Sequence, residues 1–149
     1  MESTKSRPKP SITPDSRLLE KYLLLESKKE SLVVVEKLID EISDKYNFEG
    51  KFYGKVLVAT LESVQNAIKH GNKYDPLKLV DLRLKIIDNT LVIITKDQGN
   101  GFDFNNVPDP TSKFYINEAG GRGTFLMRKL SDQLIFHEGG RVSELIFNL

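Results

Sequence analysis

Residues Glu62–Pro76 read ESVQNAIKHGNKYDP. The stretch begins inside a helix-forming run and ends on a turn. Tyr53, Leu57, Leu61, Val64 and Ile68 recur at three- and four-residue steps and predict one amphipathic helix from about Gly50 to His70. Gly71 fits the left-handed position that closes many helices, with His70 near the negative end of the helix dipole. Glu62 and Asn66 lie one turn apart, so they share a face set off from the apolar stripe. A solvated polar face and a ligand-facing pair both satisfy that spacing. Two glycine-rich stretches later in the chain decide between them.

KDQGNGFDF (Lys96–Phe104) directly follows a strand-like run, and its core is Asp97-x-Gly99-x-Gly101. AGGRGTFLM (Ala119–Met127) opens a helix-like run. Glycine admits positive φ and close approach to the backbone. A helix N-terminus adds free N–H groups and a dipole that favours anions. Together these features suit a phosphate. Neither stretch is a P-loop or a Rossmann fingerprint.

The rest of the chain predicts a β, α, α, β, β, loop, α, β, β order. Leu18–Ser27 reads as a first strand and Lys28–Asn47 as a helix, with Leu32, Val35, Leu38, Ile39 and Ile42 on its apolar face and Ser27 or Ser31 as its cap. KLVDLRLKIID and TLVIITKD form a hairpin turning at Asp88-Asn89. Gly123–Asp132 reads as a third helix, and QLIFHEGG with RVSELIFNL closes the chain as a hairpin about Gly139-Gly140. The fold class expected is α+β: a two-layer sandwich with helices on one face of a mixed, mostly antiparallel sheet.

Composition bounds the function. A chain of 149 residues is enough for one domain with a core. A net charge of +1 argues against a dedicated nucleic-acid binder. With no cysteine and two histidines, disulfides and thiolate or histidine-rich metal sites are not expected. Residues 1–16 carry Pro8, Pro10 and Pro14 and no apolar run; they read as a loose tail rather than a signal peptide, with the domain at 17–149. No run has the length of a membrane span, so a cytoplasmic protein is expected.

The three stretches in this order resemble the motifs of the GHKL superfamily of ATPases and kinases, which share the Bergerat ATP-binding fold. ESVQNAIKHGN resembles the N-box, DQGNGF the G1 box, and GGRGTFLMRKLSDQL the G2 box with its following helix. The resemblance runs from about Leu18 to Leu149 and is nearest to the anti-sigma factor serine/threonine kinases. It implies ATP and Mg2+ as cofactors. By position, Asn66 matches the magnesium ligand, Glu62 the general base and Asp97 the carboxylate that accepts from the adenine amine. Gly99 and Gly101 let the backbone pass close to the nucleotide, and Gly121 and Gly123 hinge a lid, the segment Phe102–Ala119, over the phosphates. Lys69, Lys113 and Arg122 are candidate phosphate contacts. Thr124 stands where many relatives carry an apolar residue.

The resemblance further implies a protein kinase that holds a sigma factor, or phosphorylates a STAS-like antagonist and so switches partners. It implies a homodimer through the first strand and helix, and neither membrane nor direct nucleic-acid contact. A complete histidine kinase is not expected, because no histidine precedes His70. The gyrase-like and MutL-like branches, whose catalytic lysine comes from a further domain, are not expected either. A nucleotide-binding module that sequesters a partner without transfer, and a plain ATPase, are the alternatives. Glu62 favours chemistry, because binding alone needs no base.

Overall fold

The structure, a computed structural model, describes residues 19–102 and 121–149, with the backbone alone at 121 and 122. The expected tail, residues 1–16, and the expected lid beyond Phe102, with Lys113, lie outside the described residues.

The described chain runs β1 (Leu19–Glu26), α1 (Ser31–Tyr46), α2 (Gly50–Asn66), β2 (Leu79–Ile87), β3 (Thr90–Lys96), α3 (Gly121–Leu130), β4 (Gln133–His137) and β5 (Val142–Asn148). The strands form one five-stranded sheet in the order β1-β2-β3-β5-β4. The expectation of a mostly antiparallel sheet holds, and every described pairing is antiparallel. Asp88 turns the β2–β3 hairpin with φ 56°, as a two-residue connection requires.

Strand alternation sorts the sheet into two faces. Ile86, Leu91 and Phe147 form one inward row, and Leu84, Ile93, Leu145 and Leu134 the next. All are buried under the helices. The third row holds Leu82, Thr95, Ser143 and Phe136, so the inner face turns polar toward the C-terminal end of β3. Phe48, Phe52 and Phe147 close the opposite, apolar end with edge-to-face contacts at 5.0 and 6.1 Å.

Helix α2 is central in the helical layer and packs on both α1 and α3. Its buried positions are Val56, Ala59, Thr60, Ser63 and Val64, continuing to Ala67 and Ile68. This shifts the stripe from the expected one. Tyr53, Leu57 and Leu61 are only partly buried. Small residues, not the largest apolar ones, face the sheet, because a central helix must approach closely on more than one side. Ser63 Oγ donates to Thr60 O at 2.8 Å and meets Thr95 Oγ1 at 2.9 Å, joining α2 to β3.

The expected serine cap on α1 is also corrected. Ser31 Oγ donates back to Glu26 O and Ser27 Oγ to Lys78 O, and the helix starts without a side-chain cap. Both hydroxyls tie the β1–α1 turn to its neighbours instead.

The inward rows predict a sharp contrast across β3. Ile93→Ala, at a fully buried position, is expected to cost about 2–5 kcal/mol. Val92→Ala, on the half-exposed outer face, is expected to cost about 1 kcal/mol or less. Urea denaturation of the two variants checks the difference.

Candidate nucleotide-binding site

The C-terminal end of α2 leaves the α-helical pattern. Ala67–Gly71 forms a π-helical turn, closed by the Asn72 N–H on Ala67 O at 2.7 Å. Such turns are uncommon and frequently sit at functional sites. The left-handed conformation expected at Gly71 falls instead on Lys73 and Tyr74, with φ of 52° and 58°. Gly71 is required for a different reason. A Cβ there would stand 2.3 Å from Asp97 Cγ and 2.4 Å from its Oδ2. The helix end and the carboxylate after β3 are therefore pressed directly together.

Asp97 itself is 8% exposed. Its backbone N–H donates to Arg141 O at 3.0 Å, and its Oδ1 accepts from the Gly99 N–H at 2.7 Å. Burial pushes its carboxyl above the usual range; the Gly99 N–H and the nearby Arg141 and Lys78 oppose that push without cancelling it.

Gly99 and Gly101, expected to admit a nucleotide, first admit the protein's own backbone. A Cβ on Gly99 would lie 2.1 Å from Gly71 O, and one on Gly101 2.1 Å from Gly139 O. Phe102 N–H also donates to Gly139 O at 3.0 Å. The Asp97–Phe102 loop is thus clamped between the end of α2 and the β4–β5 turn.

Beside this loop lies a cavity of about 440 Å³, a size suited to a nucleotide-scale ligand. Of the residues singled out from the sequence, Asn66, Lys69, Asp97 and Gly101 line it. Glu62 is not among the lining residues and lies one helical turn before Asn66. A Cβ on Gly123 would lie 2.8 Å from Asn66 Nδ2, 3.0 Å from Asn66 Oδ1 and 3.1 Å from Glu62 Oε1. The pair therefore converges on the first turn of α3, and the bare Cα of Gly123 is what lets that turn approach. Gly99 is buried beneath Gly71 rather than on the cavity wall. Gly121 begins α3, and the Arg122 side chain lies outside the described residues.

Thr124, next to Gly123, is 1% exposed and its hydroxyl has no partner among the described residues. An orphaned buried hydroxyl at a helix N-terminus fits a site that a ligand completes.

Sequence reasoning missed several lining residues. Ser63, Thr95 and Ser143 floor the cavity with hydroxyls, and Phe136, Lys73, His70 and Arg141 line its walls. Phe136 packs edge-to-face on Phe102 at 5.2 Å. Thr95 and Ser143 were open to detection, because period-two alternation from Asp97 and Leu145 points both inward. Arg141 carried no local signal; the turn at Gly139-Gly140 brings it in. Among the described residues, no helix is long and apolar enough to cross a membrane.

A family model described as a histidine kinase-like ATPase domain matches residues 25–148. The serine-protein kinase RsbW of Staphylococcus epidermidis is 30% identical over 97 residues, which are 60% of this chain and 61% of that protein. The serine-protein kinase RsbW of Bacillus licheniformis is 25% identical over 114 residues, 72% of this chain and 71% of that protein. The chain thus spans about three fifths of the length of the Staphylococcus relative, 61%. Among solved structures, the RsbU and RsbW domains of Rv1364c from Mycobacterium tuberculosis share the fold, with a TM-score of 0.60 at 15% identity over 88% of this chain and 32% of that one. With the E-x-x-x-N pair packed on the G-x-G helix start, with Asn66, Asp97 and Gly101 lining one cavity, and with a family match over most of its length, this chain belongs to the histidine kinase-like ATPase domain family.

Proposed function

We propose that the chain binds magnesium–ATP in this cavity and transfers the γ-phosphoryl group to a serine or threonine hydroxyl of a partner protein. The observation that carries the reading is the convergence of Glu62 and Asn66 on the first turn of α3, at a cavity that also holds the Asp97 carboxylate. Relatives named serine-protein kinase support the choice of acceptor. The partners proposed are a sigma factor, held directly, and a STAS-like antagonist, phosphorylated and thereby released. A cytoplasmic location and a homodimer through β1 and α1 belong to the same proposal.

The residues present fit the nucleotide. Asp97 accepts from an exocyclic amine, and Ser63, Thr95 and Ser143 give the base pocket a polar floor. Lys69, Lys73 and Arg141 bring positive charge to the cavity wall. Gly121 and Gly123 keep the start of α3 open to phosphate, and Arg122 and Lys113 are proposed as further phosphate contacts. Thr124, whose hydroxyl has no partner among the described residues, stands at the same helix start.

Among the described residues, no group of three or more histidine, aspartate or glutamate side chains is arranged to hold a metal alone. Asn66 would hold a magnesium ion through its amide oxygen, a donor that this hard cation accepts. When bound, magnesium–ATP supplies the phosphoryl group and neutralises charge on its oxygens. Glu62 receives the acceptor hydroxyl's proton as the new O–P bond forms and ADP leaves. Holding Glu62 and Asn66 on one rigid helix provides the alignment that such transfer requires.

Calorimetry of the purified protein is expected to register ATP binding that needs magnesium, with GTP weaker by about tenfold or more. Guanine sets a carbonyl oxygen where Asp97 needs a donor, and an unmet buried acceptor costs about 1–3 kcal/mol. Equal affinities would reject the role given to Asp97.

Glu62→Gln is expected to keep nucleotide affinity and lower phosphoryl transfer by about 10²-fold or more. Asn66→Ala is expected to weaken magnesium–ATP binding itself. Transfer assays with labelled ATP and candidate antagonists read both; parental transfer by Glu62→Gln would remove the base assignment.

Asp97 also makes a prediction about stability. Its carboxyl is raised in the folded state, so below about pH 4, where the unfolded chain also protonates it, it imposes no penalty. As pH rises through the raised value, the buried charge increasingly opposes folding. Asp97→Asn is therefore expected to raise the melting temperature of the nucleotide-free protein at pH 7, by about 2–4 °C for each kcal/mol relieved. The gain should shrink as pH is lowered toward about 4. Thermal unfolding across this pH range checks the sign.

A further inference from the structure

Asn72 is 1% exposed and is the last residue of the ESVQNAIKHGN stretch. Its side chain is fully engaged. Nδ2 donates to Ser27 Oγ at 2.9 Å and to Leu79 O at 3.1 Å, and Oδ1 accepts from the Gln98 N–H at 2.7 Å. The orientation of the amide is fixed by its partners: a main-chain carbonyl can only accept, and a main-chain N–H can only donate. Gln98 reinforces the link, because its Oε1 accepts from the Leu79 N–H at 2.6 Å.

One buried amide therefore joins the end of β1, the end of α2, the start of β2 and the loop after β3. The Gln98 peptide that it grips lies between Asp97 and Gly99, the donor to the Asp97 carboxylate. The Phe102 end of that loop is held by Gly139 O, and the main chain of Asp97 by Arg141 O. Asp97 has one further restraint near its side chain, the bare Cα of Gly71. Gly71 is adjacent to Asn72, so the wall behind the carboxylate and the grip in front of it come from consecutive residues.

We infer that Asn72 is a positioning residue for base selection: it sets the Gln98 peptide and, through it, the angle at which Asp97 meets the base. The inference rests on the nucleotide reading above. Without Asn72, the Gln98 N–H loses its acceptor and the Asp97 carboxylate loses its fixed direction. Discrimination between an amine and a carbonyl on the base then falls, while Glu62 and Asn66 on the rigid part of α2 are untouched.

The test measures ATP and GTP affinities by calorimetry, together with the amide NMR signals of Gln98 and Gly99. Asn72→Ala is expected to weaken ATP about tenfold, to bring the ATP-to-GTP ratio near one, and to move both amide signals. Transfer at saturating ATP should stay within about twofold of the parent, separating affinity from turnover. Ser27→Ala removes one partner of Asn72 but leaves the Gln98 bond. It should lower stability and keep the parental nucleotide ratio, an outcome that separates positioning from mere destabilisation. Should Asn72→Ala fail to fold, Asn72→Ser, a shorter polar side chain, is measured under the same expectation. A folded Asn72 variant with the parental ratio overturns the inference while leaving the nucleotide reading in place. A parent that binds neither nucleotide overturns both.

Discussion

The carboxylate of Asp97 is buried against a backbone that has no room for a side chain. A Cβ on Gly71 would overlap it, and a Cβ on Gly99 would overlap Gly71 O. This close packing fixes how the end of α2 meets the loop after β3, and the rest of the cavity is arranged around that contact. A charged group in such a place costs free energy unless it is well partnered. Among the described residues the internal partners are few: one N–H on Oδ1, with Arg141 and Lys78 nearby. The domain therefore tolerates a local penalty at the carboxylate to which the proposed function gives the base. Sites that break a folding rule in this way are commonly those kept for a ligand.

The sheet prepares that arrangement. Its inward rows pass from wholly apolar, at Ile86, Leu91 and Phe147, to hydroxyl-bearing, at Thr95 and Ser143, and end beside Asp97 and Arg141. One gradient thus supplies a core at one end and a polar floor at the other. Helix α2 follows it with small side chains. Ala59, Thr60, Ser63 and Ala67 let the helix lie close, and Ser63 continues the hydroxyl floor across to β3.

Much of this was legible in the sequence, and the illegible part has a common cause. Strand alternation in Asp81–Lys85 and the Asp88-Asn89 turn are local signals, and the hairpin they predict is the one found. The pairing of Glu62 with Asn66 follows from helical spacing alone, and α3 opens at the second glycine stretch. Of the apolar stripe of α2, Val64 and Ile68 are buried while Tyr53, Leu57 and Leu61 are partly so, because a helix with neighbours on several sides also buries small residues that periodicity in apolar side chains does not mark. Gly71 was read for its φ when its packing mattered. Asn72 and Arg141 act through partners many positions away in the chain, and no local pattern announces such partners.

The wide turn at Ala67–Gly71 has a consequence for how the chain can vary in length. A π-helical turn holds one residue more than an α-helical turn. A chain lacking one of these residues would close the turn as ordinary α-helix. Four α-helical residues sweep about 400°, nearly the rotation that the five residues of the wider turn cover, so the residues that follow would keep their facing. The amide of Asn72 would still be turned toward Ser27, Leu79 and Gln98. The wide turn therefore acts as a slack in the helix, a place where one residue is taken up without turning what comes after it. Homologous chains that differ by one residue in this helix should accordingly carry the difference here rather than nearer Glu62.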